Sequence, residues 1–193
     1  MKRKVLSLIL ATLMVLAFTG CGSTTDSAEG TPTPEVETTP TPEPTPTDIP
    51  FDLDAYKTLV NACRADINSA HIFVGNVGNY ENNYWKTLGR MSDTMVDSAF
   101  EWLAKNSDES RETVDAAYEN IRQQYKAIIL TEIEGKEAEE IDSAFRNMYD
   151  AYSSMYSLVI LPSGSRSSFA ANLVDYMNII LDCDEDLALF LDE

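Results

Sequence analysis

From residue 51 onward, apolar residues recur every three or four positions, and this spacing restricts the chain to helices. Residues three and four apart share one face of an α-helix. The first apolar stripe, over residues 53 to 88, contains Tyr56, Val60, Cys63, Ile67, Ala70, Val74, Val77, Tyr84 and Leu88. Gly75 and Gly78 lie within it without shifting its phase. We therefore predict one long helix rather than two, although each glycine costs about 1 kcal/mol relative to alanine.

Further stripes of the same period follow, separated by short segments that favour helix ends. We expect Ser92 to cap a second element, which kinks at residues 106 to 110 with Asn106 or Ser107 as a new cap and ends at Gly135. A third element ends before Pro162, and a fourth begins after Ser167 or Ser168.

No segment shows the sustained two-residue alternation of a half-buried strand, so we expect no sheet. Short connections make successive helices antiparallel neighbours. The sequence thus predicts an all-α domain over residues 53 to 193. Its predicted architecture is an up-down bundle of four long helical elements with the second one kinked, or of five helices if the kink is a full turn.

The first 21 residues differ in composition from the helical domain and indicate an export signal. Lys2, Arg3 and Lys4 precede an apolar run over residues 5 to 18, which is the layout of a secretory signal. Residues 17 to 21, Ala-Phe-Thr-Gly-Cys, resemble the lipobox of bacterial lipoproteins, in which a small residue precedes a cysteine that receives a diacylglycerol thioether before cleavage. The alternative is an ordinary signal peptide with a chance cysteine.

The resemblance implies that residues 1–20 are removed and that Cys21 carries the lipid. Acylation with more than one chain is sufficient for stable anchoring. The expected location is therefore extracytoplasmic, on the outer face of the cell membrane, with the membrane as one partner.

Residues 21 to 52 follow as a predicted lipidated cysteine and disordered stalk. This segment holds seven of the eight prolines of the chain, mostly in Thr-Pro pairs. Such a composition favours extended polyproline II at about 3.1 Å per residue, so the stalk would reach up to about 90 Å. It is similar to the stalks of Gram-positive surface lipoproteins, which implies a Gram-positive source.

The chain is strongly acidic, which limits its partners. Its formal net charge is −18, and removal of residues 1–20 takes away three basic residues and no acidic one, which leaves −21. A polyanion repels nucleic acids and anionic lipid headgroups. We therefore expect no nucleic-acid partner, and basic or cationic partners are electrostatically favoured.

Besides Cys21, the chain has the pair Cys63 and Cys183, in a compartment where disulfides are permitted. In an antiparallel bundle of four elements, their heights along the first and last helices would differ by only about 3 Å. The sequence predicts that they are neighbours in the core. It leaves open whether they form a disulfide or remain two buried thiols.

Residues 76 to 85 combine amides with aromatic rings. A pyranose ring stacks on an aromatic face while its hydroxyls bond to amides, so this composition suits a glycan-binding surface. Its candidate members are Tyr80, Asn82, Asn83, Tyr84 and Trp85. The alternative is that Tyr84 and Trp85 continue the buried stripe. Tyr149, Tyr152 and Tyr156 likewise either line a pocket or pack in the core.

A weak cation site is suggested near the C-terminus. Asp182, Asp184, Asp186 and Glu193 have the spacing of positions one, three, five and twelve of an EF-hand loop. However, Leu187 stands where that loop requires glycine, and the helical period continues through the segment. We expect these carboxylates to lie on a solvated helix face, with no cofactor beyond weakly bound divalent cation.

Catalytic motifs are not evident. His71 is the single histidine, and the segment Ser163-Gly164-Ser165 lacks the strand-turn-helix context of a nucleophile elbow. We expect a domain that binds or scaffolds a protein, or a cationic or small ligand, rather than an enzyme. Two alternatives stay open: a cell-envelope enzyme or accessory factor that uses carboxylates, and a glycan-binding module.

Overall fold

Five α-helices make up most of residues 51–107 and 109–191, which are the residues that the computed structural model describes. They are α1 (Leu53–Leu88), α2 (Met95–Asn106), α3 (Arg111–Ile129), α4 (Lys136–Ile160) and α5 (Arg166–Leu191). No strand occurs in this part of the chain, so the all-α class is confirmed. The predicted signal segment, Cys21, the stalk up to residue 50 and Glu193 lie outside the described residues.

Helix α1 is one uninterrupted helix of 36 residues, as the unbroken stripe predicts. Asp52 caps its N-terminus, where the carboxylate accepts a hydrogen bond from the amide of Ala55 at 3.0 Å. Gly89 ends it in the left-handed conformation with φ of 69°, which favours glycine.

The two glycines inside α1 allow other helices to approach its backbone closely. A Cβ atom built on Gly78 would lie 2.9 Å from both terminal methyls of Leu173 and 3.1 Å from a methyl of Val159. One built on Gly75 would meet the ends of Met155 and Met177, at 3.3 and 3.5 Å. The glycines therefore bring α1 against α4 and α5.

The predicted second element is two helices, so the count of five is the correct one. Ser107 is extended, with φ of −141°, and Ser110 rather than Asn106 or Ser107 caps α3. The Ser110 hydroxyl accepts from the amide of Thr113 at 3.3 Å, and the Thr113 hydroxyl accepts from the amide of Ser110 at 2.7 Å. This reciprocal capping box fixes where α3 begins.

Three other predicted helix ends are wrong by a few residues. Helix α2 begins after Thr94 instead of Ser92. Gly135 precedes α4 rather than ending α3. Ser165, rather than Ser167 or Ser168, caps α5, since its hydroxyl accepts from the amide of Ser168 at 3.1 Å. Thr94 and Gly135 make no side-chain capping bond, so these two ends are set by backbone conformation, which spacing alone does not specify.

Helix α1 packs against each of the other four helices. Trp102 of α2 stacks near Tyr80, and Gln124 of α3 bonds to Asp66, so α2 and then α3 return along α1 in the opposite direction. The phenol of Tyr56 donates to Asp142, which places the start of α4 beside the start of α1. Helix α5 runs antiparallel to α1. None of these five helices is long and apolar enough to cross a membrane.

The buried stripe of α1 departs from the prediction in its last turns. Tyr84 is only half-buried and Leu88 is exposed, whereas Gly78, Glu81 and Trp85 are buried. An α-helix has about 3.6 residues per turn, whereas alternating steps of three and four residues average 3.5. The set of residues that faces the core therefore shifts gradually along the helix, from the predicted row to the neighbouring row.

This drift carries a carboxyl group into the core. Glu81 is fully buried, and neither of its carboxylate oxygens has a hydrogen-bond partner. It lies one turn from Gly78, which meets Leu173 and Val159, and one turn from Trp85, which packs on Phe169 at 6.0 Å between ring centroids. Burial raises the pKa of Glu81 to about 8, so the group is mainly uncharged at neutral pH.

The glycine contacts predict opposite outcomes for two matched substitutions. Gly78→Ala should lower the free energy of unfolding by about 1–3 kcal/mol, because the new methyl overlaps the confined side chain of Leu173. Gly75→Ala should change it little, because flexible methionine ends can move and alanine favours the helix by about 1 kcal/mol. Denaturant unfolding of both variants measures the difference. Equal effects at the two sites would contradict this account of the packing.

Glu81 predicts a pH dependence of stability. Its carboxyl has an ordinary unfolded pKa near 4.3, so between about pH 4 and pH 8 the folded chain binds more protons than the unfolded chain. The contribution of this group to stability is therefore fully present below about pH 4. As the pH rises to about 8, the free energy of unfolding falls by roughly a few kcal/mol.

Unfolding free energies of wild type and Glu81→Gln, compared from about pH 5 to pH 9, check this expectation. The wild type should lose stability with rising pH relative to Glu81→Gln. Glu185→Gln removes an exposed carboxylate from α5 and should leave the wild-type dependence intact. Parallel curves for wild type and Glu81→Gln would show that Glu81 is not buried as a neutral acid.

Candidate functional site

An open groove of about 200 Å³ lies between α1 and α3. Most of its lining is apolar, and two carboxylates contribute to it. The lining residues are Asp66, Ser69, Ala70, Phe73, Glu109, Thr113, Val114, Ala117, Asn120 and Ile121. The groove therefore combines an apolar surface with negative charge, and none of the sequence motifs pointed to it.

Small side chains account for the space between these two helices. Ser69 and Ala70 on α1 and Ala117 on α3 leave room that larger residues would fill. The capping box at Ser110 fixes the first turn of α3, which carries Thr113 into the lining. Most of the groove is thus built on two regular helices, and Glu109 joins the lining from the connection that precedes α3.

Asp66 is held in place by neutral partners. One of its oxygens, Oδ2, accepts hydrogen bonds from the side-chain amides of Asn120 at 3.1 Å and Gln124 at 2.6 Å. Both amides belong to α3, so the carboxylate also ties α1 to α3. Because neither donor carries a charge, the negative charge of Asp66 remains available to a cation.

The three tyrosines of α4 that the sequence marks pack ring to ring instead of lining an open pocket. Tyr156 stacks on Tyr118 at 3.9 Å, and Tyr149 stacks on Tyr125 at 3.6 Å. Tyr152 lies between these pairs, fully buried, and its hydroxyl has no hydrogen-bond partner. Burial raises the pKa of Tyr149 to about 12.

The candidate aromatic and amide residues between positions 80 and 85 lie on different faces of α1, so they do not form one surface. Tyr80 lies between Tyr84 and Trp102, with ring centroids 6.1 and 5.3 Å apart. Trp85 points inward and Asn82 accepts a hydrogen bond from Arg166 at 3.1 Å. Asn83 is exposed. The structure thus brings Tyr80 and Tyr84 together with Trp102, a residue that the sequence reading did not connect with them.

Cys63 and Cys183 are both buried free thiols. Arg64 and Asp184, their chain neighbours, form a salt bridge at 2.5 Å, so these parts of α1 and α5 lie side by side. The thiol of Cys63 nevertheless faces α3, where its sulfur is 3.9 Å from the carbonyl oxygen of Ile121. Cys183 instead lines a groove between α4 and α5. Burial raises the pKa of Cys63 to about 12, which keeps this thiol unreactive.

The acidic residues near the C-terminus lie on α5, which continues through them as a regular helix. Asp182 and Asp186 are exposed. Burial acts to raise the pKa of Asp184, but hydrogen bonds from Arg64 and Asn68 lower it overall. Glu193 lies outside the described residues. Within the described part of the chain, no group of three or more histidine, cysteine, aspartate or glutamate side chains is arranged to hold a metal ion.

The single histidine and the segment Ser163-Gly164-Ser165 contact residues close to them in the chain. His71 is buried on α1, and its Nδ1 is 3.2 Å from the carbonyl oxygen of Ile67. Ser163, Gly164 and Ser165 form the connection between α4 and α5, and Ser165 caps α5.

Comparison of the chain with protein-family models, with curated proteins and with solved structures found no match. No family is therefore recognised for the folded domain, and its function has to be argued from its own geometry.

Proposed function

We propose that this protein is a binding protein of the bacterial cell envelope, whose groove between α1 and α3 receives a basic, partly apolar segment of a partner protein. The observation that carries the proposal is the apolar groove with Asp66 and Glu109 in its lining. An apolar concavity with a few placed charges is typical of recognition sites.

The size of the groove favours a peptide segment over a small molecule. At about 200 Å³ it is smaller than the sites of roughly 300–1,000 Å³ that enclose a drug-sized ligand. One or two aliphatic side chains of a longer segment would fill it, and the rest of that segment would lie along the two helices.

The charge of the chain decides the sign of the partner. The net charge is −21 after removal of residues 1–20. Acidic segments would be repelled over the whole surface, whereas basic ones would be drawn to it before contact. A partner segment with lysine or arginine beside an aliphatic residue therefore complements both the apolar lining of the groove and the negative electrostatic potential around it.

The proposal also includes anchoring at the outer face of the membrane. It is supported by the signal layout of residues 2 to 18 and by the lipobox-like residues up to Cys21. A proline-rich stalk over residues 22 to 50 would hold the helical domain away from the bilayer, where a partner could reach the groove.

The groove is tested with short synthetic peptides of one length, composed of lysine and leucine, of lysine and alanine, or of glutamate and leucine. Only the first should bind measurably by calorimetry. Combined Asp66→Asn and Glu109→Gln should weaken it about 5- to 30-fold, since partly exposed charges contribute about 0.5–1 kcal/mol each. Ala117→Leu, which fills the groove, should abolish binding.

Asp175→Asn is the matched control, because it removes an exposed charge from α5 and leaves the groove unchanged. Its affinity for the lysine and leucine peptide should equal that of the wild type. If all charge variants weaken binding equally, or if Ala117→Leu binds normally, the groove is not the binding site.

Anchoring is tested separately in a bacterial host. The wild type should start at Cys21, carry acyl chains by mass spectrometry and fractionate with membranes. Cys21→Ser should remain unprocessed and lack acyl chains, because the lipid acceptor is missing. A Cys63→Ser variant controls for loss of a cysteine as such. Normal cleavage and release of Cys21→Ser would show that the segment is an ordinary signal peptide.

A further inference from the structure

Two pairs of tyrosines join α3 to α4 by direct ring stacking. The rings of Tyr118 and Tyr156 are 3.9 Å apart between centroids and 4° from parallel. Those of Tyr125 and Tyr149 are 3.6 Å apart and 5° from parallel. Nearly parallel planes with centroids at these distances are a stacked arrangement of the two rings. Ring carbons of the two partners are therefore in van der Waals contact.

The two pairs differ in the groups around their hydroxyls. The phenol of Tyr156 donates to Oδ1 of Asp115 at 2.7 Å, and the hydroxyl of Tyr118 lies 3.0 Å from that of Ser153. Burial, together with the hydrogen bond to Asp115 and its charge, raises the pKa of Tyr156. Tyr156 is thus a neutral phenol hydrogen-bonded to a carboxylate. The hydroxyls of Tyr125 and Tyr149 instead bond to Arg146 and Ser153, and the carboxylates of Asp150 and Asp142 act on Tyr125 through their charge.

Exposure also separates the pairs. Tyr118 and Tyr156 are both half-buried, whereas Tyr149 is 8% exposed. An external oxidant therefore reaches both rings of the first pair and only one ring of the second.

We propose that Tyr118 and Tyr156 are a site of oxidative cross-linking, at which a one-electron oxidant of the haem-peroxidase class joins α3 to α4 through a dityrosine bond. This inference is independent of the function proposed for the groove.

The reaction balances without any group beyond the oxidant. The oxidant removes one electron from each ring. The phenolic proton of Tyr156 passes to Asp115 and from there to solvent, and that of half-buried Tyr118 leaves directly to solvent. The two phenoxyl radicals then form a carbon–carbon bond between ring positions ortho to the oxygens. The hydrogens on these carbons move to the oxygens and restore both phenols. The protein loses two hydrogen atoms in total, and one hydrogen peroxide is reduced to two waters.

Parallel stacking favours this product, because the two rings are in contact before either radical forms. When both rings are oxidised, the two radicals combine inside the same chain rather than with another molecule. The bond would connect residues 118 and 156 covalently and so restrict how far α3 can separate from α4.

The test treats the full chain with a haem peroxidase and hydrogen peroxide, followed by dityrosine fluorescence and mapping of tryptic peptides. Cleavage after Arg111, Arg122, Lys126, Arg146 and Arg166 places Tyr118, Tyr125 and Tyr156 on different peptides. We expect a monomeric product in which peptide 112–122 is joined to peptide 147–166, with the loss of two hydrogen atoms. Fragmentation should place the bond at Tyr156.

Tyr118→Phe and Tyr156→Phe should each abolish this linked peptide, and Asp115→Asn should slow its formation several-fold while helical content stays unchanged. Tyr80→Phe removes the phenol hydroxyl from a pair whose centroids are 6.1 Å apart and should have no effect.

The proposal is overturned if free N-acetyltyrosine dimerises in the same mixture while the protein forms no internal link. It is also overturned if the link joins peptides 123–126 and 147–166, or if it persists in Tyr118→Phe. An unchanged rate in Asp115→Asn would reject the role of that carboxylate.

Discussion

The close approach of other helices to the backbone of α1 is the constraint on which the rest of the structure depends. Gly75 and Gly78 remove the side chains that would keep α4 and α5 at a greater distance, and Leu173 and Val159 occupy the space beside Gly78. Helix α1 contributes more buried positions than any other helix, and each of the remaining four helices packs against it.

That arrangement leaves the polar groups of the core unequally satisfied. Arg64 reaches Asp184, so its charge is paired although its side chain is largely buried. Glu81 lies farther along the same helix, and its carboxyl oxygens have no hydrogen-bond partner. Burial raises its pKa, so the carboxyl is mainly protonated at neutral pH. A neutral carboxyl still loses its hydrogen bonds to water on burial. The apolar packing around α1 therefore has to offset the free-energy cost of burying Glu81.

Sequence period predicted the helices well because it follows from burial, and burial dominates their stability. It could not give the helix ends, since Ser110 and Thr113 cap α3 through a reciprocal pair of bonds that depends on the extended residue before them. Helix length could not give the neighbours of Cys63 and Cys183, because these depend on how the other helices are placed around α1: Cys63 faces α3, and Cys183 lines a groove between α4 and α5. The groove escaped prediction for the same reason: Ala70 and Ala117 are ordinary helix residues until their helices are brought together.

The contacts of α3 differ on its two sides, and this difference connects the groove to the tyrosines. Toward α1, α3 presents small residues and leaves the groove, with Asp66 bonded across it by Asn120 and Gln124. Toward α4, it presents Tyr118 and Tyr125, whose large rings fill the space between the helix axes. The small residues and the large rings belong to one helix. The position of α3 between α1 and α4 is therefore set on one side by the hydrogen bonds to Asp66 and on the other by the stacked rings.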